Sequence, residues 1–173
     1  MEPKRAWKVS LIGPKGVGKS SLISRVVYGS EGYESDPKSL KKKSVSYDKG
    51  GIKFSADLFF LELDGANGMD KLLSGSNAIV VVTDVTNSES LSEADNLLKY
   101  LQMYNGKSAI LMAATKQDLK YEAKFWDSDI KKVADKYMVR YVLTSSRSAA
   151  DSTRFLDTLL TTLSEKFAVK GRN

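Results

Sequence analysis

The sequence contains neither cysteine nor histidine among its 173 residues. The lack of cysteine excludes disulfide bridges, thiolate nucleophiles and cysteine-ligated zinc. The lack of histidine removes the commonest general base and the commonest ligand of transition metals. Any bound metal is therefore expected to be a hard ion held by oxygen atoms, and magnesium is the first candidate.

Long apolar runs are also missing. The longest run, residues 109–114, is far too short to cross a membrane, and the basic N-terminus has no apolar stretch long enough for a signal peptide. Prenylation would need a C-terminal cysteine, and Glu2 stands where myristoylation needs glycine, so no lipid anchor is expected. These features predict a cytoplasmic protein whose contact with a membrane would be peripheral.

The length and composition predict one soluble domain. Apolar residues make up 42% and charged residues 28% of the chain, as in ordinary globular proteins. We expect a single domain over residues 1–170 and a frayed C-terminus over residues 171–173. The net charge of +6 favours an acidic partner or an anionic surface, although no sequence-specific nucleic-acid binding is expected.

Apolar strand patterns alternate with amphipathic helix patterns along the chain. Strands are predicted at residues 6–13, 44–47, 52–63, 78–84, 108–115 and 139–145. Helices are predicted at residues 19–27, 88–104 and 151–167, and a further helix, capped by Ser128 or Asp127, is predicted to extend to about residue 138. Residues 29–43 are predicted to form a long loop. The pattern predicts an α/β fold with a mostly parallel six-stranded sheet, helices on both faces, and a ligand site at the carboxyl ends of the strands.

A phosphate-binding motif follows the first predicted strand. Residues 13–20, GPKGVGKS, match G-x-x-x-x-G-K-[ST] at every fixed place and open an amphipathic helix. In this motif backbone N–H groups surround the phosphates, Lys19 reaches the β- and γ-phosphates, and the Ser20 hydroxyl ligates magnesium. The alternative is a glycine-rich turn that binds nothing. The nucleotide-binding residues predicted here are Gly13, Lys15, Gly16, Val17, Gly18, Lys19, Ser20 and Ser21.

Two polar segments follow the last two predicted strands and could bind a base. They are residues 115–118, TKQD, and residues 144–147, TSSR. The Asp118 carboxylate can accept hydrogen bonds from N1–H and the exocyclic amine of guanine. Adenine lacks this donor pair and would leave the carboxylate unpaired, so it should be rejected. The stem of Lys116 could cover the face of the base.

The chain resembles the Ras-like small GTPases over nearly its whole length. The resemblance rests on GPKGVGKS, on VVVTDVTNSESL at residues 80–91, on TKQD in place of Asn-Lys-x-Asp, and on TSSR in place of Thr-Ser-Ala-Lys. It implies a three-layer phosphate-loop fold that binds GTP or GDP with Mg²⁺, with Ser145, Ser146 and Arg147 beside the base. Thr115 replaces the asparagine whose amide ties the base loop to the phosphate loop, which predicts a lost tie and a lower affinity.

Two further segments differ from the family pattern around the metal. Asp64 ends a strand and is expected to hold a water molecule of the Mg²⁺ ion. The place where the family has a glycine, three residues later, holds Asn67. Either the Asn67 N–H meets the γ-phosphate, or the loop is rebuilt so that the Gly68 N–H does. The first switch loop has no threonine over residues 31–43, so Ser39, or alternatively Ser44, is expected to replace this ligand.

The resemblance also has consequences for catalysis. Lys19 and the position of Gly68, where the family has its catalytic glutamine, are the predicted catalytic places. The missing glutamine and the long side chain of Lys15 in the phosphate loop predict slow hydrolysis. Efficient hydrolysis would need a partner, because in this family an arginine supplied by a partner raises the rate by about 10³–10⁵-fold. The alternatives are a nucleotide-bound scaffold with little or no hydrolysis and an ATP-using small-molecule kinase.

The resemblance also implies partner proteins. Effectors, an activator and an exchange factor are expected, of unknown identity. Residues 38–43 hold four lysines and are either a solvated loop or a basic surface for an acidic partner or anionic lipid. The absence of cysteines and lipid anchors fits a prokaryotic or archaeal member better than a eukaryotic trafficking protein.

Overall fold

The protein is represented by a computed structural model that describes residues 4–29, 40–64, 73–103 and 107–167. The strands of this part of the chain are β1 (Arg5–Ile12), β2 (Lys41–Lys49), β3 (Ile52–Leu63), β4 (Ala78–Asp84), β5 (Ala109–Thr115) and β6 (Arg140–Leu143). Its α-helices are α1 (Lys19–Tyr28), α2 (Ser88–Met103), α3 (Asp127–Lys136) and α4 (Ala149–Lys166), with a 3₁₀ turn at Lys120–Glu122.

The six strands form one sheet in the order β2-β3-β1-β4-β5-β6. β2 and β3 pair as an antiparallel hairpin, and the other neighbours pair in parallel. Parallel neighbours need crossover connections, which the helices provide. The parallel strands therefore all end at the same edge of the sheet, where the polar segments predicted to bind a nucleotide follow them.

Helices cover both faces of the sheet, as the predicted three-layer α/β fold requires. One apolar cluster joins α1 and α4 to the sheet through residues such as Leu22 and Phe155. The other joins α2 and α3 to the opposite face through residues such as Leu98 and Ile130. Because it lies between the two layers, β4 is buried at all seven positions, which explains its continuous apolar sequence.

The predicted loop over residues 29–43 is wrong at its end, because β2 already begins at Lys41. The lysines at 41–43 pair with the backbone of residues 58–60 of β3. An edge strand pairs on one side only and tolerates charged side chains, so the lysine run does not stop the hairpin. Lys41 is 6% exposed, whereas Lys42 is exposed. The basic surface predicted at residues 38–43 therefore does not include the Lys41 side chain, and Lys38 lies outside the described residues.

Two helix starts differ from the predicted ones. α3 begins at Asp127 with Trp126 as its capping residue, and the Asp129 carboxylate accepts a 2.9 Å hydrogen bond from the Trp126 N–H. α4 begins at Ala149, after Ser148, whose hydroxyl accepts from the Asp151 N–H at 3.2 Å. In both cases a polar side chain satisfies an N–H group at the helix start. The predicted frayed C-terminus lies outside the described residues.

Candidate nucleotide-binding site

The phosphate loop joins the end of β1 to the first turn of α1. Gly13 lies so close to β4 that a Cβ atom there would be 2.7 Å from the Val82 carbonyl oxygen. Gly18, directly before α1, has φ of 99°, in the left-handed region that favours glycine. The two fixed glycines of the motif are therefore required by the backbone, and the loop places the N-terminus of α1 at the carboxyl edge of the sheet.

Lys19 is the central cation of this loop. It is 4% exposed, and its Nζ donates to the carbonyl oxygens of Gly13 at 2.6 Å and Pro14 at 2.8 Å. The same Nζ lies 2.7 Å from Oδ1 of Asp64, directly after β3. The ends of β1 and β3 thus meet at this ammonium group, and Asp64 lies beside the phosphate loop as predicted.

Ser20 makes a contact that the sequence reasoning missed. Its Oγ donates to the Glu62 carboxylate, with distances of 2.7 Å to Oε1 and 2.6 Å to Oε2. Glu62 lies near the end of β3 on the same face as Phe60, and Asp64 follows directly after the strand. A signal was available, because Glu62 is the charged residue in the otherwise apolar strand end LFFLEL.

Thr115 connects the base loop to the phosphate loop. Its Oγ1 lies 2.5 Å from the Val17 carbonyl oxygen and 3.1 Å from that of Thr83, and it would lie 3.4 Å from a Cβ atom added at Gly18. One hydroxyl proton is shared between the two carbonyl acceptors. The predicted loss of the tie between the two loops is therefore wrong, because the hydroxyl makes a connection that the family makes with an amide.

Lys116 bridges the same two loops from the other side. Its Nζ donates to Oδ2 of Asp84 at 2.7 Å and to the Gly16 carbonyl oxygen at 3.1 Å. The Asp84 side chain is 5% exposed and ends β4, so the bridge fixes three segments at the strand ends. Lys116 has φ of 63°, an unusual backbone conformation for a side chain of this size. The surrounding contacts hold the residue in this conformation.

Asp118 is oriented by the segment that follows β6. The Ser145 hydroxyl donates to Oδ1 of Asp118 at 2.7 Å and accepts from the Arg147 N–H at 3.1 Å. The Arg147 Nε lies 3.9 Å from Oδ2 of Asp118. The carboxylate is thus held in one orientation, with one edge facing a cleft of about 280 Å³. This cleft is lined by Gly18, Ser21, Leu22, Thr115, Lys116, Asp118, Leu119, Ser146 and Arg147.

The remaining predicted residues fall into three groups. Lys15 and Gly16 are exposed on the phosphate loop, and Val17 is buried beneath it. Ser39, Asn67 and Gly68 lie outside the described residues. Ser44, the alternative metal ligand, lies on β2 opposite Asp57 and donates to its Oδ1 at 2.6 Å.

The assignment of Ser44 as a metal ligand is wrong. Asp57 is five residues before Glu62, the β3 residue that contacts Ser20, which is a separation of about 17 Å along an extended strand. Ser44 is therefore far from Ser20.

No helix in the described part of the chain is long and apolar enough to cross a lipid bilayer.

Comparison with known proteins establishes the family. The model of the Ras family matches residues 8–165. Mouse Ras-related protein Rab-22A is 30% identical over 154 residues, which cover 84% of this chain and 77% of that protein. Human Ras-related protein Rab-17 is 28% identical over 153 residues (83% and 69%), and tobacco Ras-related protein Rab5 is 27% identical over 155 residues (83% and 74%). The chain belongs to the Ras family, and the resemblance to GTP-binding small GTPases is confirmed.

Proposed function

We propose that this chain is a magnesium-dependent switch that binds GTP and GDP and hydrolyses GTP slowly in the absence of a partner. The observation that carries the proposal is the connection of the phosphate loop to an oriented Asp118 carboxylate through Thr115 and Lys116. A nucleotide has its phosphates and its base at opposite ends. The connection fixes the distance between the sites for these two ends, which favours a ligand with both groups.

Each predicted residue has a role in this proposal. Lys19 neutralises the β- and γ-phosphates, and the phosphate-loop N–H groups together with the α1 N-terminus bind their oxygens. Asp118 accepts from guanine, and Ser145 holds its carboxylate while the Lys116 stem and Ser146 border the base. The cost of removing the Asp118 carboxylate from water is offset only when the base has two donors opposite it. Guanine has this donor pair and adenine does not, so guanine is favoured.

The donor atoms beside the phosphate loop suit a Mg²⁺ ion. They are the Ser20 hydroxyl and the carboxylates of Glu62 and Asp64, all hard oxygen donors. Among the described residues, no group of three or more acidic side chains is close enough to hold a metal alone. This agrees with an ion held by one or two protein groups together with phosphates and water. When bound, the ion neutralises charge on the phosphates.

Slow hydrolysis follows from what surrounds the reacting phosphate. Gly68 has no side chain to orient water, and Lys15 is exposed at the rim of the phosphate loop. We therefore propose that an activating protein supplies the missing group, and that effector and exchange proteins meet the same face. We further propose that residues 1–170 form one domain around this site.

Single-turnover hydrolysis tests the enzymatic part of the proposal. Protein loaded with GTP and Mg²⁺ is followed by chromatography of GTP and GDP, with a Lys19→Ala variant and free GTP as controls. We expect hydrolysis slower than about 10⁻³ s⁻¹ but faster than that of free GTP, as in family members without an activator. If protein that retains the nucleotide hydrolyses it no faster than free GTP, the result would favour the scaffold with little or no hydrolysis. The observation that supports the scaffold is Gly68 at the place where the family has its catalytic glutamine.

A further inference from the structure

The Glu62 carboxylate meets the Ser20 hydroxyl, which is predicted to bind the metal, beside the phosphate loop. Both carboxylate oxygens lie within 2.7 Å of the Ser20 Oγ. The neighbouring Asp64 carboxylate is bound to the Lys19 ammonium at 2.7 Å. The two acidic residues on this face of β3 therefore have different partners, and only Glu62 faces the hydroxyl.

The spacing of these oxygens suits a shared ion. Mg²⁺ holds its ligands at about 2.1 Å in an octahedron, so two adjacent ligand oxygens are about 3.0 Å apart. The Ser20 Oγ and the Glu62 oxygens are 2.6–2.7 Å apart, so they need to separate by only a few tenths of an ångström to become neighbours around one ion. A serine hydroxyl that now donates its proton to Glu62 could then turn its lone pair toward the metal.

The charges around the site give Glu62 a second effect. Lys19, which is predicted to reach the β- and γ-phosphates, pairs with Asp64, and Glu62 adds a further negative charge beside the neighbouring Ser20. Without a divalent ion this carboxylate repels the phosphates; with the ion it attracts them through the metal. Nucleotide binding and metal binding would thus become strongly coupled.

We propose that Glu62 is a ligand of the Mg²⁺ ion, beside Ser20, and that its carboxylate makes nucleotide retention depend on the metal. This inference rests on the proposed nucleotide-binding function. In the family a threonine of the first switch loop supplies an oxygen ligand to the ion, and residues 31–43 contain no threonine. The proposal gives this role to Glu62 on β3. Glu62 is a metal-site residue in this assignment and takes no part in proton transfer.

The test measures the affinity for fluorescent mant-GDP twice, in excess Mg²⁺ and in EDTA. In the Glu62→Gln variant we expect weaker binding with Mg²⁺ and equal or tighter binding in EDTA. The ratio of the two affinities should fall at least tenfold. General damage to the fold would weaken mant-GDP binding in both conditions. It therefore cannot explain binding that is weaker with Mg²⁺ and no weaker in EDTA. Titration of Mg²⁺ into the GDP-bound protein by calorimetry should show the same loss of metal affinity directly.

Two further variants calibrate this experiment. Glu62→Asp keeps the negative charge but shortens the side chain by one methylene group, which moves the carboxylate away from Ser20. Its ratio of mant-GDP affinities in Mg²⁺ and EDTA should therefore lie between those of the wild type and Glu62→Gln. Glu165→Gln makes the same chemical change on α4, where Glu165 pairs with Arg140 at the surface, and should leave the ratio unchanged. Thermal unfolding establishes that all variants are folded.

The outcomes separate the inference from the function on which it rests. An unchanged or larger ratio in Glu62→Gln, with the wild type binding mant-GDP tightly, would overturn the role of Glu62 and leave the nucleotide-binding function intact. Such a result would mean that Glu62 merely occupies the Ser20 hydroxyl. Failure of the wild type to bind mant-GDP in either condition would overturn both.

Discussion

Thr115 shows how a single atom can preserve a connection when the residue type changes. The side chain has only one donor, yet its Oγ1 lies within hydrogen-bond distance of the carbonyl oxygens of Val17 and Thr83. Thr115 is 4% exposed, so water could not take the place of its hydroxyl beside these two carbonyl groups. The phosphate loop and the base loop therefore depend on one buried hydroxyl.

Replacing Thr115 with valine should loosen the nucleotide site while keeping its shape. Valine has nearly the same shape as threonine, but a buried carbonyl group loses its donor at a cost of about 1–3 kcal/mol. We expect a lower unfolding midpoint and a mant-GDP dissociation rate raised by roughly 5- to 100-fold. Thr153→Val is the matched control, because the Thr153 hydroxyl donates to the Ala149 carbonyl oxygen at an exposed position of α4. If mant-GDP left Thr115→Val at a rate within twofold of the wild-type rate, the Thr115 hydroxyl would not be needed to connect the two loops.

Asp118 offers a change of specificity that structural damage cannot imitate. An asparagine there has one acceptor and one donor, which suits a base with N1–H and a carbonyl at C2, as in xanthine. In Asp118→Asn we expect GDP affinity to fall about 10- to 100-fold and the preference for xanthosine diphosphate over GDP to rise. Competition against a fluorescent nucleotide measures both affinities. If both nucleotides lost affinity equally, Asp118 would not contact the base.

At the scale of elements, the strands and helices with a strong apolar period were predicted well. β3 and β4 have the predicted bounds, and β1, β5 and the four α-helices differ by a few residues. Each of these segments buries a face that its own sequence displays. The start of β2 was missed because Lys41–Lys43 carry no apolar period and are ordered by pairing with β3. Pairing with a distant strand leaves little local trace in a sequence.

The site divides in the same way. The phosphate loop, Asp64, Asp118 and Ser145 could be predicted because their motifs have fixed spacing and follow strands. The contacts of Thr115 and Glu62 could not, because each depends on how two segments approach in space. Glu62 shows this most clearly, since its partner Ser20 is 42 residues away along the chain.

A cluster at the end of α3 links this helix to α2 and predicts a dependence on pH. Asp95 on α2 accepts from the Tyr137 hydroxyl and from Lys136 Nζ at 3.2 Å. The Tyr137 hydrogen bond, helped by Lys136, lowers the pKa of Asp95 below its ordinary value of 3.8. A lowered carboxyl pKa means that the native state favours the charged form. The stabilisation is complete near neutral pH and is lost as the pH falls through the lowered pKa.

Asp95→Asn should therefore lower the melting temperature by about 1–4 °C near pH 7, and the difference from the wild type should shrink toward pH 3. Asp135→Asn is the matched control, because Asp135 pairs with Lys131 on the exposed surface of α3. Thermal unfolding across this pH range measures both variants. A difference for Asp95→Asn that stayed constant with pH would contradict the account of this cluster.

For the whole molecule, the three layers determine where the site can form. Buried β4 and β5 hold Asp84 and Thr115 at one edge of the sheet, while α1 brings its N-terminus to the same edge. The loops at this edge are thus anchored in the rigid core, which favours a preorganised ligand site. We propose that two loops, at about residues 29–44 and 64–76, order around the γ-phosphate; residues 30–39 and 65–72 of these loops lie outside the described residues.

The central claim is that the anchored edge binds guanine nucleotides with Mg²⁺. Displacement of mant-GDP from nucleotide-stripped protein by GDP, GTP, ADP and ATP in excess Mg²⁺ tests it most directly. Because Asp118 finds a donor pair only on guanine, we predict that GDP and GTP compete at least about 10⁴-fold better than ADP and ATP. Equal or tighter binding of the adenine nucleotides would contradict the account.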